Sequence, residues 1–315
     1  MLKPDHLPVC LWDRDQQILR LPPVLARAFE AAVDARSLRE LLSDGDADGP
    51  VGGRSEDDTF AHFVNRFDGS SARLQLAFLD PHDHLATTSN VILSRLSGGT
   101  TCFIDAPCGT GAGFLSLLLT VARLREVGVL PCMRLDVKLV AADVSDSARE
   151  IAADLLNSVN DVLEEQGIFV HAEWPAWDVT SEASTVELNK LAIRMADGCK
   201  SNFLLVANFS GFLVGENKLK EAEPQLYELF KYFSGEDSFS VWIEPKTREA
   251  TRRGGLLDQL FVLAGSKWSW FAKIADDLSE AISAFKSEAN FQSILRGRAA
   301  TVRVCVSHMR LVSND

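Results

Sequence analysis

Residues 103–113 read FIDAPCGTGAG, where an apolar run ends in an acid and a glycine-rich turn leads into a helix-like stretch at 114–126. Glycine lets a backbone approach a ligand closely, and the first turn of a helix offers free N–H groups to a carboxylate or phosphate. A tight connection without a ligand is the alternative reading of such a turn. The order of acid, glycines and helix favours a site for a nucleotide-like ligand.

The spacing of the glycines disfavours one class of ligand, the dinucleotides. A G-x-G-x-x-G fingerprint that starts at Gly109 needs its third glycine at position 114, where this chain has Phe114. We therefore do not expect an NAD-dependent oxidoreductase.

The acid and the glycines are instead spaced D-x-x-x-G-x-G, which resembles motif I of the class I S-adenosylmethionine-dependent methyltransferases. The common form of that motif reads D-x-G-C-G-T-G, and Pro107 stands here in place of its usual glycine. The resemblance extends over about residues 100–311. It implies that S-adenosyl-L-methionine is the cofactor and that the turn binds it through Asp105, Pro107, Cys108, Gly109, Thr110 and Gly111.

Two further acids follow predicted strands, in positions where the family binds the nucleoside. Asp143 ends the apolar run 138–143, and the resemblance implies that it takes the ribose hydroxyls, with Val144 beside it. One carboxylate can accept both hydroxyl hydrogen bonds. Asp178 and Val179 follow the run 168–174 and are the candidates for the adenine. As an alternative, Asp143 could be a first-turn acid that the helix dipole favours.

The acceptor side is expected at the ends of the fourth and fifth strands. The segment at 207–212 reads ANFSGF and lacks the two prolines of the enzymes that methylate exocyclic nucleobase amines, so that activity is not supported. The basic residues after position 245 could instead be a solvated surface. The candidates are Asn208 and Glu244 as catalytic groups, Asn208 also as a cofactor contact, and Phe209, Phe212, Lys246 and Arg248 as substrate contacts.

The order of apolar runs and helical stretches predicts the fold. Short runs without polar alternation are typical of strands that are buried on both faces of a parallel sheet. We predict a doubly wound α/β fold with a mostly parallel seven-stranded sheet whose last strand, at 300–311, is antiparallel. A capping box at Ser147 and Glu150 predicts where the helix after Asp143 begins, and Gly167 where it ends. The other predicted strands are 101–106, 138–143, 168–174, 203–208 and 239–244.

The first 99 residues are predicted to be a helical N-terminal region before a Rossmann-like domain at 100–315. Phe60, Phe63, Val64 and Phe67 recur at three- and four-residue spacing, which indicates an amphipathic helix. The acidic, glycine-rich segment 43–58 is predicted to be a linker.

Composition and charge exclude several classes of protein. The 44 acidic and 32 basic residues give a net charge of −12, which disfavours a polyanion as partner. The six cysteines show no CxxC pair, so neither a zinc site nor any other metal site is expected. The longest apolar run, 114–122, is short of the ~20 residues that cross a bilayer. We expect a cytoplasmic protein that does not contact membranes.

Two functions therefore remain open. The first is a methyltransferase whose acceptor, a small molecule, a protein or a nucleic acid, is unidentified. The second is a non-catalytic, cofactor-binding subunit that scaffolds a complex. The sequence does not indicate an oligomeric state.

Overall fold

The computed structural model of the chain describes residues 2–43, 55–232, 237–245 and 285–311. Its strands form one sheet in the order β1-β2-β8-β9-β7-β6-β3-β4-β5. The strands are β1 Trp12–Asp13, β2 Ile18–Leu19, β3 Gly99–Asp105, β4 Leu135–Ala141, β5 Ile168–Glu173, β6 Ser201–Ala207, β7 Ser238–Pro245, β8 Phe285–Gln292 and β9 Ala299–Leu311.

The predicted mostly parallel α/β sheet is confirmed. Strands β3 to β7 pair in parallel, and β9 is antiparallel to both β7 and β8. Successive side chains of β3 enter different clusters, Phe103 one and Ile104 the other, so that apolar side chains cover the sheet on both faces. This arrangement is consistent with a Rossmann-like fold.

The predicted number of seven strands is wrong, because nine strands are present among the described residues. Strand β8 corresponds to none of the six runs that we predicted as strands. The other two unpredicted strands, β1 and β2, form a hairpin in the region that we predicted to be helical, and β2 pairs with β8. Each has two residues, too short to show the alternation by which a strand is recognised in sequence.

Helices cover the sheet. The α-helices among the described residues are α1 Pro23–Ala35, α2 Glu56–Leu79, α3 Ala86–Leu96, α4 Ala112–Glu126, α5 Asp146–Glu165, α6 Glu182–Ala196, α7 Ser210–Gly215 and α8 Leu219–Tyr232. The cap of α5 is Ser145, whose hydroxyl accepts a hydrogen bond from the Ala148 N–H, so the capping box predicted at Ser147 is wrong. None of the described helices is both long and apolar enough to span a membrane.

Helix α2 ties the N-terminal region to the sheet. Ser55 caps it, and the predicted linker residues 56–58 form its first turn, while residues 44–54 lie outside the described part of the chain. The rings of Phe29 in α1 and Phe67 in α2 stack with their centroids 4.8 Å apart. Both rings share one hydrophobic cluster with Phe103 of β3. The division into domains at residue 99 stays a prediction.

Candidate functional site

A cavity of about 460 Å³ opens at the carboxyl ends of β3, β4 and β6. The chain leaves β3 toward β4 on one side, and β6 lies on the other, which makes this the point of a parallel sheet where ligands bind. The predicted site residues that line the cavity are Asp105, Pro107, Cys108, Gly109, Thr110, Asp143, Val144, Asp178, Val179, Asn208, Phe209 and Phe212.

The cofactor edge, which we define as residues 105–113 and 143–145, is built mainly from main-chain contacts. Asp143 holds the turn through both carboxylate oxygens: Oδ2 accepts from the Gly109 N–H at 2.9 Å and Oδ1 from the Ser145 N–H at 2.9 Å. The Cys108 N–H donates to the Ala142 carbonyl at 2.8 Å. Burial raises the pKa of Asp143, and the N–H groups of Ser145 and Gly109 oppose that shift.

Asp105 lies beneath the turn and is 1% exposed. Its Oδ2 accepts from the Phe114 N–H at 3.0 Å, whereas its buried Oδ1 has no hydrogen-bond partner among the described residues. Burial raises the pKa of Asp105 to about 8, opposed by the Phe114 N–H and reinforced by the charge of Asp143. A ligand or a water molecule in the cavity could supply the partner of this buried oxygen.

Glycine is required where the turn meets Asp105. A Cβ at Gly113 would lie 2.3 Å from Asp105 Oδ2 and 2.9 Å from Leu205 Cδ2, closer than real atoms approach. Gly111, at φ +88°, begins α4 but is not among the described residues that line the cavity. The positive φ of the turn is enough to explain why glycine stands at this position. A direct contact between Gly111 and a cofactor stays a prediction.

The turn's cysteine does not provide a nucleophile. Cys108 is buried, and burial together with the charges of Asp143 and Asp105 raises the pKa of its thiol well above the usual value. A thiol that stays protonated is a poor nucleophile. Cys108 therefore serves as an apolar part of the wall.

The segment after β5 contributes an aromatic and an acid. Trp177 is buried and its indole N–H donates to the Thr185 hydroxyl at 3.1 Å. Asp178 is exposed at the rim of the cavity, and its Oδ1 accepts from both the N–H and the hydroxyl of Thr180. Its Oδ2 has no hydrogen-bond partner among the described residues.

On the side of β6, Asn208 and two stacked rings line the cavity. Asn208 adopts φ +55°, a conformation that asparagine tolerates better than most residues, and its buried Oδ1 has no partner within the described ranges. The rings of Phe209 and Phe212 are stacked with centroids 5.6 Å apart. All three residues line the cavity, and their roles toward cofactor and acceptor stay predictions.

Glu244 is not brought into the cavity as the described residues define it. It is fully buried, and its Oε1 accepts from the Phe209 N–H at 2.9 Å and from the Trp242 indole N–H at 2.6 Å. The carboxylate thus positions the loop that carries Phe209. A direct catalytic role for Glu244 stays a prediction, and Lys246 and Arg248 lie outside the described residues.

Sequence reasoning missed the part of the cavity that helix α2 supplies. The α2 wall consists of Thr59, His62, Phe67 and Ser70. Thr59 Oγ1 lies 3.1 Å from Ser145 Oγ, which joins this wall to the cofactor edge. The available signal was a polar stripe at the helical spacing of residues 59, 62, 66, 70 and 73 along the same amphipathic helix. Lys218, which precedes α8, also lines the cavity.

The imidazole of His62 is neutral in this setting. Burial, together with the charges of Arg66 and Arg73, lowers the pKa of His62 to about 4. Arg73 is itself affected: burial lowers its pKa to about 10, against the opposing charge of Glu244. At neutral pH the α2 wall therefore presents an uncharged histidine to the cavity.

Comparison with known proteins finds no matching family model and no matching curated protein. One solved structure, from work on the conversion of a disulfide bond into a thioacetal group during echinomycin biosynthesis, is 12% identical. It covers 72% of this chain and 82% of its own at a TM-score of 0.36. Another, from Methanococcus maripaludis and assigned as an S-adenosyl-L-methionine-dependent methyltransferase, is 11% identical. It covers 87% of this chain and 99% of its own at a TM-score of 0.29. TM-scores this low do not establish a shared fold, so the function has to be inferred from the geometry of this chain.

Proposed function

We propose that this chain is an S-adenosyl-L-methionine-dependent methyltransferase. The observation that carries the proposal is a pair of buried carboxylates on the wall of one cavity, at the ends of two adjacent strands: Asp105 is the last residue of β3, and Asp143 follows β4. Buried carboxylates are costly unless a ligand or a donor compensates them. A ligand with positive charge and several hydroxyl groups compensates both.

The residues present fit this cofactor. Asp105 Oδ1, unpartnered in the described chain, suits the ammonium group of the methionine part. Asp143 uses one lone pair on each oxygen for a backbone N–H, which leaves one on each for the two ribose hydroxyls. Asp178 and Val179 at the rim suit the amino group and ring of adenine. The turn around Gly109, where an added Cβ would meet nothing within 4 Å, leaves space for the ligand.

When bound, S-adenosylmethionine supplies an electrophilic methyl group on a sulfonium. The task left to the chain is to hold the acceptor close and in line with that methyl and to exclude water. The rings of Phe67, Phe209 and Phe212 provide apolar walls for the acceptor, and Asn208 Oδ1 offers it a hydrogen-bond acceptor.

A non-catalytic, cofactor-binding subunit is the second candidate function. It is favoured by the position of Glu244, the base expected from the sequence, whose Oε1 already accepts two hydrogen bonds outside the cavity. A scaffold binds the cofactor but transfers no methyl group. Transfer of a tritiated methyl group into fractionated cell extract distinguishes the two.

The test of cofactor binding is calorimetry with S-adenosylmethionine and S-adenosylhomocysteine. We expect the wild type to bind both, and Asp143→Ala to lose on the order of tenfold or more in affinity, because two hydroxyl hydrogen bonds to a charged group are removed. Asp161→Ala, an exposed acid on α5, is the matched control and keeps wild-type affinity. Thermal stabilisation by NADH, and not by either adenosyl compound, would contradict the proposal.

A further inference from the structure

Helix α2 turns a polar stripe toward the cavity, although the same helix packs its phenylalanines into the core. The stripe residues follow one another at intervals of three and four, so they share one face of the helix. Three of them line the cavity and two are guanidinium groups further along. In chain order they are Thr59, His62, Arg66, Ser70 and Arg73.

The position of His62 along α2 places it next to the reacting part of the proposed cofactor. Thr59 contacts Ser145, two residues beyond the ribose candidate Asp143, so this end of the helix marks the ribose. His62 lies three residues further, about 4.5 Å along the helix axis. In S-adenosylmethionine the methyl group lies three bonds beyond the ribose ring, a comparable distance.

The imidazole is available to a ligand. Neither of its nitrogens hydrogen-bonds to another residue in the part of the chain that the structure describes, and the charges of Arg66 and Arg73 act on the ring. These charges and burial keep it neutral, and a neutral imidazole has one nitrogen that accepts a proton. The other titratable groups on the cavity wall are Asp105, Cys108, Asp143, Asp178 and Lys218.

Those other groups are already engaged or carry a proton. Asp143 holds the turn with both oxygens, and Asp105 and Cys108 have raised pKa values because they are buried. Asp178 lies at the adenine rim and bonds Thr180, while Lys218 pairs with Glu221. Among the titratable side chains of the described wall, His62 is therefore the one that is neutral, without a hydrogen-bond partner and able to accept a proton.

We propose that His62 is a catalytic residue, the base that takes the proton from a hydroxyl or amine of an apolar methyl acceptor. This inference rests on the proposed function. The acceptor's oxygen or nitrogen forms a bond to the methyl carbon as the carbon–sulfur bond breaks, and sulfur keeps the electron pair. The proton passes to an imidazole nitrogen of His62 and then to solvent.

The charge in the cavity stays constant during this step. The imidazole gains a positive charge as the sulfonium loses its own, so the repulsion from Arg66 and Arg73 that disfavours an imidazolium is offset by the charge that disappears. The aromatic rings of Phe67, Phe209 and Phe212 set the class of acceptor, an apolar or aromatic molecule with one O–H or N–H group near the methyl.

The first experiment tests by NMR whether His62 lies close to the methyl group of the cofactor, and it needs no methyl acceptor. In protein labelled with ¹³C-histidine, the ring signal of His62 is assigned as the one that His62→Gln lacks. Complexes with S-adenosylmethionine and S-adenosylhomocysteine differ by one methyl group and one charge. We expect His62 to show the largest difference in chemical shift between them among the six histidines. A difference no larger than that of the exposed His171 overturns the proposal.

The second experiment measures transfer of a tritiated methyl group from S-adenosylmethionine into fractionated cell extract. We expect His62→Gln and His62→Ala to transfer on the order of 100-fold more slowly than the wild type, the typical contribution of a general base. Added imidazole should restore His62→Ala at least tenfold, because it fills the space and accepts the proton. His171→Gln is the matched control and keeps the wild-type rate. Affinity for S-adenosylhomocysteine by calorimetry should stay within threefold for all variants.

The outcomes separate the two proposals. Absence of binding of either adenosyl compound to the wild type overturns the proposed function, and with it this one. Binding without any transfer by the wild type favours the scaffold and overturns the base. Transfer by His62→Gln at the wild-type rate, or slow transfer by His62→Ala that imidazole does not restore, overturns the role of His62 alone.

Discussion

The cofactor edge consists of two short segments at neighbouring strand ends, whose main-chain N–H groups donate to a carbonyl or to a buried carboxylate. The α2 wall, in contrast, is brought to the cavity over a long stretch of chain and is held by side chains. At the edge, the N–H groups of Cys108, Gly109 and Phe114 each have an acceptor within 3.0 Å. At the wall, hydroxyls of Thr59 and Ser145 meet at 3.1 Å. Main-chain geometry leaves a local pattern in the sequence, and side-chain packing across the fold does not.

The difference predicts unequal tolerance to substitution. An edge made of backbone contacts cannot adjust without moving a strand end, because buried groups are close-packed and transmit strain. A wall carried by a helix can shift as a unit if its anchor is weakened. Substitutions at the two regions therefore test whether the cavity is one rigid body or two parts.

The largest effect is expected for Gly113→Ala at the cofactor edge. The added Cβ would lie 2.3 Å from Asp105 Oδ2, and both groups are buried with β3 and β6 behind them. Overpacking of this kind costs about 3 kcal/mol in the free energy of unfolding. We expect chemical denaturation to show that loss, and calorimetry to show no binding of S-adenosylhomocysteine.

The matched control for Gly113→Ala is Gly211→Ala in α7. Gly211 also lines the cavity, but a Cβ there would meet nothing within 4 Å. We expect its stability to be unchanged or slightly raised, because alanine restricts the unfolded chain. If both variants lost the same free energy of unfolding, the close contact at Gly113 would not be the cause of the loss.

The next effect is expected for Asp68→Ala, which removes an anchor of α2. The buried Asp68 accepts from the Ser293 hydroxyl at 2.7 Å and from the Ile294 N–H at 3.1 Å, in the turn between β8 and β9. Leaving buried donors without an acceptor costs about 2 kcal/mol. We expect chemical denaturation of Asp68→Ala to show that loss in the free energy of unfolding. Its affinity for S-adenosylhomocysteine should stay within threefold of the wild-type value.

The control for Asp68→Ala is Asp154→Ala, which removes a carboxylate that also forms a long-range contact but lies at the surface. Asp154 on α5 pairs with Arg36, and its side chain is 62% exposed. Pairs of this kind contribute about 0.5 kcal/mol. If Asp68→Ala abolished ligand binding while the protein stayed folded, the α2 wall and the cofactor edge would form one unit, and the comparison above would be wrong.

The cofactor edge could be predicted from the sequence because its cause is local. Asp105, the glycines and Asp143 follow strands that are apolar on both faces, and parallel strands end at the same edge. The α2 wall could not be predicted in this way. His62 lies 43 positions before Asp105 in the chain, and the polar stripe of α2 marks one face of the helix without indicating that this face meets a cavity.

Errors in detail have the same physical origin. Ser145 and Ser147 are both plausible caps, and the choice depends on where β4 ends, which tertiary pairing with β3 and β5 decides. Glu244 is the last residue of the expected strand, but its carboxylate accepts a hydrogen bond from the indole of Trp242, two residues earlier, and is buried in the core. The buried parallel strands follow from the apolar runs in the sequence, whereas the direction of a side chain at a strand end depends on its neighbours in the fold.

The smallest effect is expected for Asp105→Asn, which changes how the free energy of unfolding depends on pH. Burial, against the Phe114 N–H, raises the pKa of Asp105 from 3.8 to about 8 in the folded protein. Between these two pH values the folded protein keeps a proton that the unfolded chain has released. The unfolded state then binds fewer protons, so the stability of the wild type falls as pH rises through this window, and the contribution levels off above about pH 8.

Asparagine keeps an oxygen for the Phe114 N–H and cannot ionise. Urea denaturation of both proteins should therefore show Asp105→Asn gaining stability relative to the wild type by about 1 kcal/mol from pH 6 to pH 7. Because the pKa of Asp143 is raised as well, the wild-type slope alone is ambiguous and the difference between the two curves is the quantity to read. Parallel curves over this range would mean that Asp105 is already ionised in the fold. The cofactor edge would then compensate that charge without a ligand, which removes the reason for a cationic cofactor there.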